Sequence, residues 1–329
     1  MERVKEFHLF AGIGGGIYGG QLLGHSCCGA VEIDEFCKKI ISFRQKDGWM
    51  EKFDVWGDIT ELNGHDYKGT FDVLCGGFPC QAFSHAAHGK NIAEKNLWDE
   101  MFRFVQESDA PIVFAENVTF KALDKARTDL KSVGYTVQLC ELSCGELGAD
   151  HRRDRYWLLA VKNADVFEKV AKHVTALPKL KTTCWTSSPF DYENREIDTA
   201  RRKQLKAIGN AQSPFVAASV FRILVNRHLN HNAKEMIKAT TDEINAVIEK
   251  HPTWIQQKYG TDFGFVHTPT TMANYSCPSM MKHRGCRNYN DVFGRPLPRD
   301  AEYLMGFPIG ASVPSNNGKE CFDLWMLNS

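Results

Sequence analysis

Short apolar segments alternate with helical segments through the first half of this 329-residue chain, and that alternation limits the fold more than any other feature. Apolar segments occupy residues 6–10, 73–75 and 111–117, and two more, at 135–142 and 156–161, end the series. Strands that alternate with helices pair as a mostly parallel sheet with helices on both faces. The sequence therefore predicts an α/β fold built on a doubly wound, mostly parallel sheet.

The regular alternation stops after residue 161. Residues 163–200 contain prolines and several Ser and Thr residues, so we expect an irregular connection there. Helical units are predicted at 201–229 and at about 233–250. The tail from residue 259 is rich in Gly, Pro, Thr and Asn, which predicts loops and short strands.

The composition is that of a globular protein, with 43% hydrophobic and 24% charged residues. No apolar run reaches the ~20 residues that span a bilayer, and the first residues lack the apolar segment of an export signal. We therefore expect a cytoplasmic protein whose 11 cysteines are reduced. Because the cysteines include no pair of CxxC elements, no metal site is expected.

Charge is distributed unevenly, although the net charge of the whole chain is zero. Residues 1–150 contain 15 Lys and Arg against 23 Asp and Glu, a net charge of −8. Residues 151–329 contain 25 against 17, a net charge of +8. Such an asymmetry indicates that a polyanion meets the second half of the chain. A basic surface that binds no nucleic acid carries the same charge, so the pattern alone leaves both interpretations open.

A glycine-rich loop at residues 11–16 follows the first predicted strand and precedes a helix. That arrangement suits a nucleotide-type ligand at a helix N-terminus, whether NAD, FAD or S-adenosylmethionine. Glu32 lies near the end of a second predicted strand, at residues 30–34, where a carboxylate accepts hydrogen bonds from ribose hydroxyls. Asp58 lies near the end of a third strand, where it can accept from an adenine amino group. A helix cap at Asp58 and a surface acid at Glu32 are the simpler alternatives.

The apolar segment 73–75 runs into the sequence Gly-Gly-Phe-Pro-Cys at residues 76–80. Glycine lets the backbone pass close to a ligand, and proline restricts the turn. The chain is therefore expected to present the Cys80 thiol at the carboxyl end of a parallel strand, where open α/β sheets bind their ligands. Most cysteines are small hydrophobes without a chemical role, so the neighbouring groups must decide for Cys80.

Two further groups of polar residues adjoin predicted strands. Glu116 and Asn117 end a buried strand, so the Glu116 carboxyl is expected at the same sheet edge as Cys80. A glutamate beside apolar residues can have a raised pKa and can pass a proton to a ring nitrogen. Arg153 and Arg155 lead into the last predicted strand and point to one face of an extended chain, which suits a phosphate or a carbonyl oxygen. A surface charge cluster is the alternative for the arginines.

Together these residues resemble the motifs of the DNA (cytosine-5) methyltransferase family. Residues 76–84 match its nucleophile motif almost residue for residue, and residues 116–118 are similar to its glutamate motif. The other matches are residues 10–15 and 209–211 to its first and late cofactor motifs, 151–155 to its Gln-x-Arg-x-Arg motif, and 295–308 to the element that organises its target-recognition domain. The resemblance extends from residue 8 to residue 308.

The resemblance implies a Rossmann-like, S-adenosylmethionine-dependent methyltransferase and a role for each matched residue. Cys80 would attack C6 of a cytosine flipped out of duplex DNA, and Glu116 would protonate or hydrogen-bond N3. Arg155 would hold the base O2, and Arg153 the O2 or an adjacent phosphate. A methyl group would then pass from S-adenosyl-L-methionine to C5, as in restriction–modification systems. The residues implied for the cofactor are Phe10, Gly12, Gly14, Gly15, Glu32, Ile33, Asp58, Ile59, Phe78, Leu97, Asn210 and Ala211, and those for DNA are Gln81, Ser84, Lys282, Arg284, Arg287 and Arg295.

The chain departs from the family pattern at several residues. His8 stands where the family often has Asp, and His151 stands where it has Gln. The segment at 83–96, which is expected to close over the site, lacks the arginine that the family places before its Leu-aromatic pair.

The order of two motifs also differs from the family. The late cofactor motif at 209–211 precedes the element at 295–308, whereas the family normally has the reverse order. This implies a circularly rearranged variant in which the 209–211 segment still completes the cofactor pocket. We therefore predict a catalytic, cofactor-binding domain at residues 1–228 and a smaller C-terminal target-recognition domain at residues 229–329.

Three other functions compete with DNA methylation. A branch of the family acts on tRNA with the same chemistry, a catalytically silent protein can use the fold to bind DNA, and a dinucleotide oxidoreductase would use the glycine loop. The element at 295–308 favours DNA over tRNA, and Cys80 with Glu116 argues against the other two. The partner expected is double-stranded DNA, bound by a monomer in the nucleoid without a membrane or a metal.

Overall fold

A seven-stranded sheet forms the centre of the computed structural model, which describes residues 3–79, 97–191, 200–230, 237–268, 282, 284–294, 297–314, 319–327 and 329. The strands are β1 (Lys5–Leu9), β2 (Ser26–Val31), β3 (Asp54–Trp56), β4 (Val73–Gly77), β5 (Ile112–Asn117), β6 (Thr136–Ser143) and β7 (Asp154–Val161). Their spatial order is β3-β2-β1-β4-β5-β7-β6. The neighbours from β3 to β5 pair in parallel, and β7 runs antiparallel to both β5 and β6. The predicted doubly wound, mostly parallel α/β sheet is confirmed.

Helices cover both faces of this sheet. In chain order they are α1 (Gly15–Leu22), α2 (Glu35–Lys46), α3 (Trp98–Ser108), α4 (Phe120–Ser132), α5 (Ala164–Thr175), α6 (Arg201–Asn210), α7 (Pro214–Leu229), α8 (Thr241–Val247), α9 (Trp254–Tyr259), α10 (Arg284–Phe293), α11 (Pro298–Met305) and α12 (Glu320–Leu327). One apolar cluster joins α1, α2, α5 and α7 to the sheet, and a second joins α3 and α4 to its other face. None of the helices in these ranges is long and apolar enough to cross a bilayer.

The second strand ends earlier than its sequence predicts. We expected strand at residues 30–34, but β2 ends at Val31 and the following residues form a loop into α2. The cause is Asp34, whose carboxylate accepts hydrogen bonds from the backbone N–H groups of Phe36 and Cys37 and so caps the helix. Glu32 therefore lies in the loop after the strand, at the carboxyl edge of the sheet.

The prediction of an irregular connection at residues 163–200 is wrong for its first part, which forms a helix. The helix α5 forms there, because Asn163 accepts from the backbone N–H of Val166 as an N-cap and an apolar stripe packs on the sheet. The stripe consists of Phe167, Val170, Ala171 and Val174. The predicted helical unit at 201–229 is present as α6 and α7. Of the stretch predicted as helix at 233–250, residues 233–236 lie outside the described residues. The described part contains α8, followed by β9 (Ile248–Glu249), which pairs with β8 (Leu180–Lys181).

Loops and short strands were expected in the tail from residue 259. This prediction is wrong for the described part of the tail, which contains α10, α11 and α12. Local signals explain α11: Pro298 occupies its first turn, and Asp300 accepts from the backbone N–H of Leu297 at 2.9 Å. Gly306 then ends the helix with a positive φ of 72°. Proline was interpreted as a loop signal, whereas here it begins a helix.

The C-terminal helices pack into the same core as the sheet. The buried carboxylate of Glu302 accepts from the backbone N–H groups of Gly310 and Ser312, each at 2.7 Å. Arg44 of α2 donates to the Gly310 carbonyl at 2.9 Å, and the Trp185 indole N–H donates to the Tyr303 carbonyl at 2.8 Å. These contacts hold α11 against α2 and the segment before α6. The division into domains at residues 228 and 229 stays a prediction.

A buried carboxyl group joins the segment before β7 to two of these C-terminal helices. Asp150 accepts from the Thr253 hydroxyl at 2.6 Å and lies 3.3 Å from the Tyr303 hydroxyl. Its carbonyl accepts from the backbone N–H of Val266 at 2.8 Å. Burial raises the pKa of Asp150 to about 6, although the hydrogen bonds from Thr253 and Tyr303 act in the opposite direction.

Asp150→Asn is expected to remove a pH dependence of stability. Because the pKa in the fold exceeds that of the unfolded chain, the folded protein keeps a proton that the unfolded chain releases between about pH 4 and 6. The contribution of Asp150 to stability is therefore present below that window and is lost as the pH rises through it. An asparagine can still accept from Thr253 and donate to the Tyr303 oxygen. Urea titrations give the unfolding free energy of the variant and of wild type at each pH. The value for the variant minus the value for wild type should increase by about 2–3 kcal/mol from pH 4 to pH 7.

The matched control is Asp154→Asn, an exposed carboxylate on β7 that pairs with the exposed Arg152. The difference in unfolding free energy between this control and wild type should change little over the same pH range. If the difference in unfolding free energy between Asp150→Asn and wild type depends on pH as little as that of the control, the raised pKa does not belong to Asp150.

Candidate active site

A crevice of about 740 Å³ opens at the carboxyl edge of the parallel strands. Its walls come from the ends of β1, β4 and β5, the loops after β1 and β2, the first residues of β7, and the junction between α6 and α7. The predicted site residues that line it are Phe10, Gly12, Glu32, Phe78, Glu116, Arg153, Arg155, Asn210 and Ala211. Residues from six separate segments of the chain therefore meet at one edge of the sheet.

The glycine loop requires glycine for two different reasons. Gly12 and Gly14 have φ values of 58° and 90°, in the left-handed region that other residues rarely adopt. Gly15 has an ordinary φ, but a Cβ added there would collide with the carbonyl oxygen of Gln212. The backbone between α6 and α7 therefore packs directly on the start of α1. Phe10 also has a positive φ, of 56°, a strained conformation for a residue with a side chain.

The Glu32 carboxylate is held in the crevice by the backbone around it. One oxygen accepts from the N–H of Gly12 at 2.6 Å, and the other accepts from the N–H of Asp34 at 2.8 Å. Burial raises the pKa of Glu32, while these two hydrogen bonds lower it. The group is thus oriented by the glycine loop itself.

Several residues that the resemblance assigned to the cofactor lie outside the lining of this crevice. Asp58 instead accepts from the backbone N–H of Thr60 at 2.9 Å and begins a short 3₁₀ turn, which is the simpler role considered for it. Ile59 is buried in the second apolar cluster, whereas 67% of Ile33 is exposed to solvent. Gly14, Gly15 and Leu97 contribute packing at the starts of α1 and α3.

The end of β4 is held by Asn117 from the neighbouring strand. Its side-chain amide donates to the Phe78 carbonyl at 2.9 Å, and its carbonyl oxygen accepts from the backbone N–H of Thr119 at 3.0 Å. Phe78 and Pro79 line the crevice. Cys80, Gln81 and Ser84 lie outside the described residues, as does the predicted closing segment at 83–96. The described chain therefore enters the crevice at Pro79.

Glu116 and Arg155 form an ion pair beside this turn. The Glu116 Oε1 and Arg155 Nε atoms are 3.1 Å apart, and both side chains are largely shielded from solvent. In the parallel register Glu116 is the partner of Gly77. A Cβ added at Gly77 would lie 2.9 Å from Glu116 Oε2, so the carboxylate lies against the backbone that leads to Pro79.

Arg153 is buried and has a second partner that the sequence did not indicate. Its guanidinium donates to the carbonyl of Ala211 at 2.8 Å and thereby holds the segment between α6 and α7. Burial and the neighbouring Arg155 lower the pKa of Arg153 to about 10. The adjacent His151 is fully buried, and burial together with the two arginines lowers its pKa to about 3, so its imidazole is neutral.

The residues predicted for DNA binding are only partly described. Lys282 and Arg287 are exposed on the C-terminal region. Arg284 begins α10, but its side chain lies outside the described part, as does the whole of Arg295. None of these residues is among those that line the crevice.

The crevice residues that were not singled out from the sequence include two lysines and a glutamine. Lys203 and Lys206 of α6 lie at the rim of the crevice, and Lys206 Nζ is 3.8 Å from the Asp34 carboxylate. Helical spacing could have indicated them, because they precede Asn210 by seven and four residues and so share its side of α6. Gln212, directly after the predicted segment 209–211, also lines the crevice.

A buried group of polar residues lies beneath the glycine loop. Glu6, His8 and Cys75 bring potential metal-binding atoms within 4.8 Å of one another. Both Glu6 oxygens contact histidines, His8 Nε2 at 2.9 Å and His25 Nδ1 at 2.6 Å. Burial would raise the pKa of Glu6, but the two histidines lower it to about 2. These hydrogen bonds account for the arrangement, and the absence of a metal stays a prediction.

Comparison with known proteins assigns the family. Over residues 4–315 the sequence matches the family described as C-5 cytosine-specific DNA methylase. The chain belongs to this family. The match includes every segment that lines the crevice, from the end of β1 to the junction of α6 and α7.

Individual relatives are similar over part of their length. The chain is 29% identical to the type II methyltransferase M.MspI of Moraxella sp over 175 residues, which are 49% of this chain and 40% of that protein. It is 29% identical to the type II methyltransferase M.CviJI of Paramecium bursaria Chlorella virus IL3A over 199 residues, 58% of this chain and 49% of that protein. This chain therefore spans half or less of the length of these relatives. A solved DNMT2 variant from Spodoptera frugiperda has a TM-score of 0.49 at 16% identity, covering 99% of this chain and 95% of that one.

Gly15→Ala tests the packing of the α6–α7 junction on the glycine loop. In an ordinary helix this change stabilises by roughly 1 kcal/mol. Here the added Cβ meets the backbone of Gln212, which cannot move like a side chain, so we expect a destabilisation of about 1–3 kcal/mol. Urea unfolding followed by circular dichroism measures the difference.

Gly57→Ala is the matched control, because the nearest atom to its added Cβ is the flexible Lys38 Nζ at 3.8 Å. That variant should stay within about 0.5 kcal/mol of wild type. A Gly15→Ala protein that is more stable than wild type would contradict the packing described for this junction.

Proposed function

We propose that this protein is a DNA cytosine-5 methyltransferase that transfers a methyl group from S-adenosyl-L-methionine to C5 of a flipped-out cytosine. The observation that carries the proposal is the Glu116–Arg155 ion pair, which faces the turn before Cys80 in the same crevice as the glycine loop. A carboxyl group and a guanidinium at this strand edge, together with the thiol of the residue that follows Pro79 in the sequence, match the three polar contacts that activation of a cytosine ring requires. Membership of the methylase family supports this chemistry.

The crevice fits the proposed methyl donor. Its volume of about 740 Å³ lies in the usual range for sites that bind small molecules. Glu32 offers carboxylate oxygens where ribose hydroxyls would lie, and Gly12 lets the ligand approach the backbone closely. Phe10 and Asn210 complete the walls. When bound, S-adenosyl-L-methionine supplies an electrophilic methyl group on a sulfonium, and the remaining chemistry belongs to the protein.

The proposed nucleophile is the Cys80 thiolate, which adds to C6 of the cytosine. Addition breaks the aromaticity of the ring and makes C5 nucleophilic. After the methyl group has been accepted at C5, the C5 proton leaves to water and the thiolate is expelled from C6, so the free thiolate is regenerated. Pro79, directly before Cys80, lines the crevice and supports this role.

Glu116 is proposed to donate a proton or a hydrogen bond to N3 as the thiolate adds. This draws electrons toward N3 and away from C6, which lowers the barrier to addition. Arg155 lies beside it with Nε 3.1 Å from the carboxylate, so its other guanidinium nitrogens can hold the base O2. Arg153 is proposed to act mainly through Ala211, since its guanidinium already donates to that carbonyl.

The C-terminal region is proposed to select the DNA sequence. The positive charge of residues 151–329 supports contact with phosphates, and the exposed Lys282 and Arg287 belong to this region. Asn210 lines the crevice although its segment precedes the 295–308 element in the chain. That position supports the proposed rearranged motif order. We further propose that the protein acts on double-stranded DNA in the cytoplasm, at the nucleoid, and as a monomer.

Cys80→Ser is the direct test of the reaction. Incubation of wild-type protein with duplex DNA and labelled S-adenosyl-L-methionine should label cytosine at C5, and base analysis of the digested DNA locates the label. The serine variant should lose transfer by at least about 10³-fold, because a hydroxyl is a far weaker nucleophile than a thiolate at neutral pH. Its calorimetric affinity for S-adenosylhomocysteine should stay within about twofold.

Two outcomes would contradict this proposal. Transfer by the serine variant at the wild-type rate would remove Cys80 from the mechanism. Labelled tRNA together with unlabelled duplex DNA would replace the DNA substrate by RNA.

Asn210→Ala tests whether the α6–α7 junction completes the cofactor site. Loss of a polar wall residue should weaken binding of S-adenosylhomocysteine by about tenfold, which is 1.4 kcal/mol. Binding of duplex DNA, followed by fluorescence anisotropy, should change less than about threefold, because the DNA contacts proposed lie elsewhere. Asn230→Ala, at the exposed end of α7, is the control and should change neither affinity. Equal cofactor affinity of Asn210→Ala and wild type would remove this residue from the site.

A further inference from the structure

An ion pair joins two walls of the crevice at its mouth. Lys206 of α6 and Asp34, in the loop that leads into α2, both line the crevice, and Lys206 Nζ is 3.8 Å from Asp34 Oδ2. The two side chains are 59% and 41% exposed, so the pair lies at the surface of the protein. The contact therefore bridges the rim of the crevice from the loop after β2 to α6.

The orientation of Asp34 is fixed by the backbone on both sides of it. Its Oδ1 atom accepts from the N–H groups of Phe36 and Cys37 at 2.9 and 3.3 Å. Its own N–H donates to the Glu32 carboxylate at 2.8 Å. Because Oδ1 caps the helix, the second oxygen, Oδ2, is the one that faces Lys206. The carboxylate that is proposed to bind the ribose is thus bonded directly to the residue that forms the ion pair.

The position of Lys206 is fixed by the packing of α6. On the buried side of this helix, the Gln204 amide donates to the Ser312 carbonyl at 3.2 Å. Just beyond the end of the helix, Arg153 donates to the Ala211 carbonyl at 2.8 Å. With its other side packed in this way, α6 turns Lys206 toward the crevice. Both partners of the ion pair are therefore carried by backbone that is anchored elsewhere.

We propose that Asp34 and Lys206 are positioning residues that close the crevice over the nucleoside part of the bound methyl donor. The inference rests on the proposed function, which places the ribose of S-adenosyl-L-methionine at Glu32. When the pair is formed, it holds α6 and the loop after β2 together at the mouth. When it breaks, the mouth can widen and the ligand leaves faster. An exposed ion pair contributes little to stability, so it can break and form again in each turnover.

Lys206→Met tests this role, because methionine keeps an unbranched side chain and a high helix propensity but has no charge. Surface plasmon resonance gives the association and dissociation rates of S-adenosylhomocysteine. The variant should release the ligand about threefold faster than wild type, which is about 0.7 kcal/mol and within the range for exposed ion pairs. The association rate should change less than about 1.5-fold. Lys206→Arg keeps the charge and should restore a dissociation rate within about 1.5-fold of wild type.

Salt separates the effect of the charge from an effect of the shape of the side chain. At about 0.01 M salt the ion pair is weakly screened, and the threefold difference between Lys206→Met and wild type should be present. At about 1 M salt the screening length falls to about 3 Å, so the two dissociation rates should become equal.

A double-mutant cycle tests whether the two residues act together. Asp34→Asn removes the charge of Asp34 but keeps a good N-cap, and it should also raise the dissociation rate about threefold. If the residues act as a pair, the double variant Asp34→Asn, Lys206→Met should again be about threefold faster than wild type, whereas independent effects would multiply to about ninefold.

Lys162→Met is the matched control. Lys162 Nζ is 2.7 Å from the Asp109 carboxylate, and these side chains are 41% and 43% exposed. This ion pair also joins two distant segments, but Lys162 follows the end of β7 whose start reaches the crevice, so it lies at the opposite edge of the sheet. Its variant should release S-adenosylhomocysteine within about 1.5-fold of the wild-type rate.

Failure of the inference can be distinguished from failure of the proposed function. Wild-type release rates in Lys206→Met, a ratio that is the same at both salt concentrations, or multiplying effects in the double variant would overturn the inference, while an active wild type would leave the function standing. A wild type that binds S-adenosylhomocysteine but methylates no cytosine would overturn the function, and coupled dissociation rates would still support the ion pair's role. A wild type that does not bind S-adenosylhomocysteine would overturn both.

Discussion

The close approach of α7 to α1 is the packing constraint on which the crevice depends. Where the two helices meet, a Cβ on Gly19 would lie 2.9 Å from the Ala217 methyl group and 3.1 Å from the Pro214 carbonyl. At the start of α1, the backbone of Gln212 packs so closely on Gly15 that a side chain would not fit there. Because these glycines have no side chain, the segment between α6 and α7 can lie on the glycine loop. That contact brings Asn210, Ala211 and Gln212 to the crevice as one wall.

Three charged side chains in the crevice are held by specific partners. Glu32 is bound by backbone N–H groups, Glu116 by Arg155, and Arg153 by the Ala211 carbonyl. Buried charges are costly unless they are paired in this way, and breaking one pair is expensive because it leaves the other charge alone. The crevice is therefore preorganised, and the orientation of each group depends on a contact from another part of the chain. Preorganised donors and acceptors of this kind are the main source of transition-state stabilisation in enzymes.

The segment before β7 connects the crevice to the C-terminal helices. Asp150 bonds α9 through Thr253 and lies next to Tyr303 of α11, while its own carbonyl pairs with Val266. Three residues further along, Arg153 reaches the crevice. A carboxyl group that binds the C-terminal helices and a guanidinium that lines the crevice are thus only three residues apart in the chain.

The local pattern of the sequence determined the strands and helices up to residue 161 and the chemistry at their ends. A continuous apolar run is a short-range property of the sequence, so β4, β5 and the edge position of Glu116 could be predicted from it. The helix α5 was missed because a loop was inferred from the proline and Ser/Thr residues that follow it, and α11 because Pro298 begins a helix as readily as it ends one. The end of β2 was missed because the cap at Asp34 outweighed strand propensity.

Only the tertiary structure decided which side chains meet across long stretches of chain. The bond from Arg153 to Ala211 joins residues 58 positions apart, and no local pattern indicates it. Gln212 faces Gly16 and Gly77 only because α7 docks on α1, and Asp58 stays a helix cap because β3 ends at Trp56. The sequence by itself determined which chemical groups are present at the strand ends. Their partners were decided by packing between distant segments, since contacts of that kind depend on how whole helices and strands fit together.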